Sequence, residues 1–388
     1  MDAKRLAAAL LLCLAFGSIH AYGVLLAPIE EWLGLSRARA SLAYSLAIVA
    51  LTAGVYLNGR LESVATARAR LMASGIISAA GLAAAALSSN RLGLLTGFGI
   101  MYGLANGIAY ACALGLSAEA MHRREARAIG LATAAYGLGA VLFAQVFAAW
   151  LFFKGVAGLL LAMSCLLLVS CLAAAALVGQ GRTAPDAIAR AAADSRFSGV
   201  SVLWVVYFLG AFAGLMVIAH APAIASDLGG GSHAGIVAGV VALGSVVGGY
   251  SGGLLAERLS GSRSLALPVL VQAAVLTILP LMTAEAPIIA GLGVTGFCYG
   301  MLISAVPAVI RRRWGANGFA GAYGKVFTAW GLAGLAGPVS AGYLFDVTAH
   351  YNFALAVAAL LSAMSFILVV QNRFGISANR DRGSRAPS

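Results

Sequence analysis

Three side chains able to hold or exchange a proton stand out inside long apolar stretches of this chain: His20, His220 and Lys325. An ionisable group deep in a membrane span costs about 2.5–3.5 kcal/mol on insertion scales, which makes each a candidate for function. An anion held at that depth needs a compensating charge. Lys325 could supply a fixed one. The two histidines, whose rings titrate near physiological pH, could carry a co-transported proton. The plainer readings are a lysine that snorkels to the surface and neutral histidines bonded to backbone carbonyls. Asn106, Gln145 and Gln272 are the uncharged polar candidates, and Tyr22, Tyr110, Tyr136, Tyr299, Phe327 and Trp330 the aromatic ones. Tyrosine suits a buried site because it offers an apolar wall and one hydroxyl donor; its alternative is to pack or to face lipid. A separate group, Glu257, Arg258 and Arg263, closes an apolar run. A carboxylate and arginines at helix ends can pair in one state of a moving protein and part in another.

The elements that must position these groups follow from composition. Of 388 residues, 61% are hydrophobic and 10% charged, and the mean hydropathy is +0.94. A soluble domain carries about 25% charged residues, so this chain cannot clothe a water-facing globule, and disorder and collagen are excluded with it. Apolar runs between charges give twelve candidate spans: Arg5–Pro28, Ala40–Asn58, Leu71–Ser88, Leu92–Ala118, Ala126–Phe153, Gly155–Val178, Val200–Ala223, Ala234–Ala256, Leu265–Thr283, Pro287–Ile310, Gly318–Phe345 and Tyr351–Gln371. Unbroken apolar runs call for helices, since a membrane barrel needs apolar–polar alternation. The tightest turn is expected near Lys154, between spans 5 and 6. Lys4 and Arg5 ahead of an apolar run could mark a secretory leader, but the run continues to Pro28, which favours a retained first helix.

With the N-terminus in the cytoplasm, all of the 25 Lys and Arg except Arg37, Arg39, Arg91 and Lys154 fall on the cytoplasmic side. This positive-inside bias predicts both termini in the cytoplasm. It also accounts for the net charge of +12 with no nucleic-acid partner.

The chain reads as a duplication. Pro28 and Pro222, Gly59 and Gly253, Tyr102-Gly103 and Tyr299-Gly300, and Arg123-Arg124 and Arg312-Arg313 recur in order, at offsets between 189 and 197 residues. The expected organisation is a six-helix bundle over 1–178, a cytoplasmic linker over 179–199, a second bundle over 200–372 and a cytoplasmic tail over 373–388. Parallel six-helix halves place a substrate site at the midplane between them. Glycines one turn apart, such as Gly99, Gly103 and Gly107, or Gly244, Gly248 and Gly252, let helix backbones approach closely. Glu119 and Glu125 are expected to pair with Arg123, Arg124 or Arg127. Cys13, Cys112, Cys165, Cys171 and Cys298 lack metal-type spacing and read as small buried hydrophobes. No cofactor and no metal is called for. A phosphate-binding P-loop is missing, and the acids and histidines are dispersed, which argues against a pump driven by this chain and against an integral membrane enzyme.

Gly253-Leu254-Leu255-Ala256-Glu257-Arg258, ending at Arg263, resembles the G-x-x-x-D/E-R…R/K signature of the major facilitator superfamily. In the first-half copy, Gly59-Arg60-Leu61-Glu62…Arg68, Ser63 and Val64 replace the acid–arginine pair. Gly103–Tyr110, Arg124–Ala132 and Tyr323–Gly331 followed by Gly337-Pro338 look like the oxalate/formate antiporter branch, a neighbour of the monocarboxylate transporters. That resemblance implies a carrier of small carboxylates in a bacterial inner membrane. It also implies that tyrosines on spans 1, 4, 5 and 10 enclose the carboxylate beside a span 11 cation; Tyr22, Tyr110, Tyr136 and Tyr299 lie on the matching spans. Two positions depart from the pattern. Trp330 stands where dicarboxylate carriers of the branch place a lysine, with Lys325 about a turn earlier. Gly248–Gly252 carries no cation where relatives place an arginine. Loss of both fixed charges disfavours a dianion and favours a monocarboxylate, or a larger organic acid held mainly by hydrogen bonds.

The expectation is therefore an all-α membrane protein of twelve helices in two pseudo-symmetric bundles, working as a secondary carrier by alternating access. Lys325, Tyr22, Tyr110, Tyr136, Tyr299, Trp330 and Asn106 would bind a small organic anion. His20 and His220 would carry the proton, unless a counter-anion is exchanged instead, and Glu257, Arg258 and Arg263 would gate. The chain would work in the bilayer as a monomer. An efflux carrier for an amphipathic compound is the alternative.

Overall fold

The computed structural model describes residues 2–35, 37–178, 199–229 and 234–372. The expected linker, apart from Gly199, and the expected tail lie outside the described residues. Every regular element among the described residues is helical, as lipid requires of a chain whose backbone must satisfy its own hydrogen bonds. Several spans start on a side chain that accepts from the first-turn amides, the N-cap preference of short oxygen-bearing residues. Asp2 caps at Arg5 N, Thr66 at Ala69 N, Asn90 at Gly93 N and Ser260 at Arg263 N.

Ten continuous helical stretches among the described residues are long and apolar enough to cross a bilayer. Two of these are too long for one crossing. Glu125–Val178 has 54 residues and Glu285–Thr348 has 64, or about 80 and 95 Å at roughly 1.5 Å per residue, against a hydrocarbon core of about 30 Å. Each is broken by a glycine in the left-handed region, Gly155 at φ 62° and Gly315 at φ 67°, where a side chain would be strained. Counting each as two gives twelve spans. The turn near Lys154 is as tight as expected. The turn between spans 10 and 11 is equally tight: residues 311–314, read from their charges as loop, are helical.

Three spans are irregular. Span 1 runs as α-helix over Ala3–Phe16, tightens to a 3-10 segment over Gly17–Ala21 and resumes over Tyr22–Leu33. Span 4 contains a π-helical stretch, Leu94–Tyr102. Span 7 breaks at His220, whose φ/ψ of −112°/10° precedes a second helix, Ala221–Asp227, with Pro222 in its first turn, a position that suits proline.

Packing repeats between the halves. Gly99, Gly103 and Gly107 of span 4 seat Leu46, Ala47 and Leu51 of span 2, while Gly244, Gly248 and Gly252 of span 8 seat Gly293, Phe297 and Met301 of span 10. Spans 2 and 4 thus pair as spans 8 and 10 do, in agreement with the repeat. The two halves meet along spans 2 and 11 and along spans 5 and 8. Cys13, Cys112, Cys171 and Cys298 are buried, whereas Cys165 is exposed.

Candidate functional site

Between the halves lies a cavity of about 110 Å³. The first half lines it with His20, Leu51, Tyr110, Thr133, Tyr136 and Gly137, the second with Ser245, Tyr299, Gly300, Ile303, Phe327 and Trp330. Its walls are a ring system. Tyr110 lies 4.6 Å from Tyr136 and 6.1 Å from Phe327, and Phe327 stacks on Trp330 at 5.0 Å. His20 meets Tyr136 and Trp330 edge-on at 5.5 and 6.4 Å.

Its polar groups are individually fixed. His20 Nδ1 is hydrogen-bonded to Tyr44 Oη at 2.8 Å, which leaves Nε2 for a ligand. Trp330 Nε1 donates to Tyr299 Oη at 2.7 Å, so the Tyr299 hydroxyl proton stays available. Tyr136 donates to Asn106 Oδ1 at 3.0 Å, and Asn106 Nδ2 donates to Phe16 O at 2.9 Å. Asn106 therefore positions Tyr136 from outside the lining. Thr133 spends its proton on Ile129 O. The donors left to meet an anion are His20, Tyr110, Ser245 and Tyr299. No Lys or Arg is among the lining residues.

Of the residues expected to bind substrate, Tyr110, Tyr136, Tyr299 and Trp330 come together at the cavity with His20. Lys325 does not: its side chain is exposed, on another face of span 11. Tyr22 is also turned away, donating to Ala40 O at 2.6 Å and stacking on Tyr44 at 5.4 Å, behind the His20 partner. His220 lies elsewhere. Its Nε2 donates to Pro338 O and its Nδ1 meets Tyr351 Oη, each at 3.0 Å, so both ring nitrogens are engaged away from the cavity. Asp227 holds the same Tyr351 through its backbone N–H at 2.8 Å. Burial, with the charges of Asp227 and Asp346, raises the Tyr351 hydroxyl above its ordinary value of 10.0. Tyr44, Thr133, Ser245 and Ile303 were not singled out in the sequence. Ser245 carries a positional signal, since Gly244 and Gly248 mark the side of span 8 that meets span 10.

At the face that bears residues 2 and 372, here termed the basic face, the halves are sealed. Arg311, 6% exposed, pairs through Nε with Glu125 at 3.1 Å and lies over Phe319. Glu119 pairs with Arg5 at 2.9 Å. Neither acid thus takes the neighbouring arginine expected for it. Glu257 accepts from Arg127 N at 3.2 Å, a carboxylate at the first turn of span 5, where the helix dipole favours it. Arg127 also reaches Tyr250 Oη. Arg258 and Arg263 are exposed, so Glu257 alone of the expected gating trio spans the seam. The backbones almost touch: a methyl on Gly130 would lie 2.7 Å from Gly253 Cα, and one on Gly59 2.6 Å from Ala320 O. Glu62 ends span 2 beside Arg70, 4.0 Å away. Burial raises its carboxyl above the usual 4.5 against the pull of Arg70, and Glu119 adds to the rise.

Residues 203–385 match the Major Facilitator Superfamily. The chain is similar to monocarboxylate transporter 13 of Bos taurus, 26% identical over 94% of this chain and 88% of that one. It is 28% identical to monocarboxylate transporter 11 of Mus musculus, over 92% of this chain and 82% of the other. The superfamily match thus falls on the second half of the chain, while the similarity to transporters extends over most of it. Solved structures agree on the fold of such a transporter. FucP in its outward conformation superposes with a TM-score of 0.69 at 16% identity, covering 94% of this chain and 98% of that one. The proton:xylose symporter XylE superposes with a TM-score of 0.72 at 13% identity, covering 97% and 96%. The relatives that the chain resembles over most of its length are transporters and not enzymes.

Proposed function

We propose that this transporter carries small monocarboxylates together with a proton. The observation that supports the reading is a cavity between the halves whose one cation-forming side chain, among the lining residues, is His20. An anion there needs compensation, and His20 supplies it only after taking up a proton, so binding of the two is linked. Tyr110, Ser245 and Tyr299 add neutral donors at a carboxylate's oxygens, while Phe327, Trp330 and the tyrosine faces suit a short apolar body. A cavity of about 110 Å³ is smaller than the roughly 150 Å³ that holds benzene, which matches acids of two to four carbons. The similarity to monocarboxylate transporters supports the same class.

The basic face is read as cytoplasmic, on the positive-inside bias, in the inner membrane of a bacterium. Glu257 and the Glu125–Arg311 pair would part when that face opens. Arg258 and Arg263 are then left as surface charges.

The test is uptake of labelled acetate, propionate and lactate into proteoliposomes with and without a pH gradient. Uptake should rise when the side of addition is acidified, and His20→Gln should abolish that response while His220→Gln retains it. A pH response that survives His20→Gln refutes the coupling role. An efflux carrier for amphipaths is the second reading, favoured by the same aromatic walls. Transport of such a compound that short carboxylates do not inhibit selects it.

A further inference from the structure

Two buried tyrosines lie between the cavity and the basic face, and the mechanism above uses neither. Tyr207 of span 7 and Tyr323 of span 11 are 0% and 1% exposed. Neither hydroxyl has a hydrogen-bond partner among the described residues. Nearly all buried polar side-chain atoms in folded proteins are paired, and an unpaired one forfeits the bond that would offset its desolvation. Two together at the meeting of the halves need a reason.

Their depth supplies it. Tyr323 stands eight residues past Gly315, about 12 Å up the helix from the turn. It is one turn below Phe327 and two below Trp330. Its ring is stacked on Phe319 at 5.4 Å and tilted against Phe327 at 5.3 Å. On span 7, Gly214 faces Tyr299: a methyl there would lie 2.9 Å from the ring. Tyr207 is two turns nearer the basic face on the same side of that helix. The Tyr323 hydroxyl lies near those of Tyr110 and Tyr207, and the Tyr207 hydroxyl near those of Tyr299 and Tyr110. Tyr110 and Tyr323 are thus neighbours that stop short of a hydrogen bond. The pair lies directly below the cavity floor, above the seam closed by Glu125 and Arg311.

We propose that Tyr207 and Tyr323 form an inner subsite for the transported carboxylate, occupied on the way between the cavity and the basic face. With the seam shut, the two O–H groups are dry and unpaired. With the seam parted, they become the next donors an anion leaving Tyr110 and Tyr299 can meet. Their unmade bonds weigh on the shut state alone, so they also favour opening. The subsite rests on the carboxylate reading given above.

The test compares the parent with Tyr207→Phe, Tyr323→Phe and the double variant in oriented proteoliposomes. KM for labelled acetate, propionate and lactate is measured from each side. The seam is followed by maleimide labelling of Ala320→Cys from the basic face, in a Cys165→Ser background. Two lost donors to a charged ligand should raise the basic-side KM about tenfold or more in the double variant. The opposite-side KM should stay within about twofold, and labelling should slow several-fold as closure gains. Equal changes of KM on both sides, or unchanged labelling, would overturn the subsite and leave the carboxylate reading intact. A parent that moves none of the three acids would overturn the carboxylate reading, and the subsite's ligand with it.

Discussion

Adding one methyl group at Gly130 should open the basic face. The methyl would lie 2.7 Å from Gly253 Cα, and ordinary contact begins near 3.4 Å, so spans 5 and 8 must part by about 0.7 Å. The obstacle is backbone, which cannot rotate aside. Overpacking of this kind costs about 1–3 kcal/mol. It falls on the conformation in which the seam is shut, because the two glycines touch only there. A bias of that size shifts the shut-to-open ratio about 5- to 150-fold. The reporter is Ala320→Cys, 7% exposed in the parent and placed under Gly59 on the other seam. With the exposed Cys165 changed to Ser, an impermeant maleimide applied at the basic face should label Gly130→Ala at least about fivefold faster than the parent. Gly115→Ala is the control, since a methyl at Gly115 meets nothing within 4 Å. An unchanged or slower rate in Gly130→Ala, with the control also unchanged, would show that closure does not depend on this contact.

Two further outcomes follow from the geometry. Trp330→Phe removes the donor to Tyr299 Oη and leaves the aromatic wall; a lost bond worth about 0.5–1.5 kcal/mol should raise KM about two- to tenfold, and an unchanged KM would show that the tether does not shape the site. Glu62, whose carboxyl is raised by burial, holds its proton more tightly in the folded state, so its charged form destabilises the fold and stability grows as pH falls through its raised value. Glu62→Gln should therefore raise Tm at pH 7 and flatten its pH dependence above 4.5, whereas a lower Tm would mean that the pairing with Arg70 outweighs burial.

Much of the architecture was legible because lipid leaves few options. Apolar runs, basic loops and the paired glycines of spans 4 and 8 locate the helices and their neighbours. The cavity was legible in part. Tyr110, Tyr136, Tyr299 and Trp330 converge as their spans suggest, but helical phase decided the rest. Lys325 and Trp330 are five residues apart, about 140° around a helix of 3.6 residues per turn, so both cannot face one cavity. Tyr22 follows His20 by two residues and turns away for the same reason. Choice of partner at the basic face was not legible: Glu119 meets Arg5 within the first half and Glu125 meets Arg311 across the seam, over 114 and 186 residues. The 3-10 segment of span 1 carries no proline. It lies where Gly17 presses on the Tyr136 carbonyl and on Gly139, a contact between distant residues that local pattern does not encode.

The left-handed Gly315 joins spans 10 and 11 without any intervening loop. Tyr299 descends on one leg, and Arg311, Phe319, Tyr323 and Trp330 follow through the turn and up the other, with Trp330 bound back to Tyr299. The binding wall and the basic-side lock are therefore parts of one hairpin without slack. A displacement that loosens Arg311 from Glu125 has no loop to absorb it before it reaches Phe319, Tyr323 and Trp330.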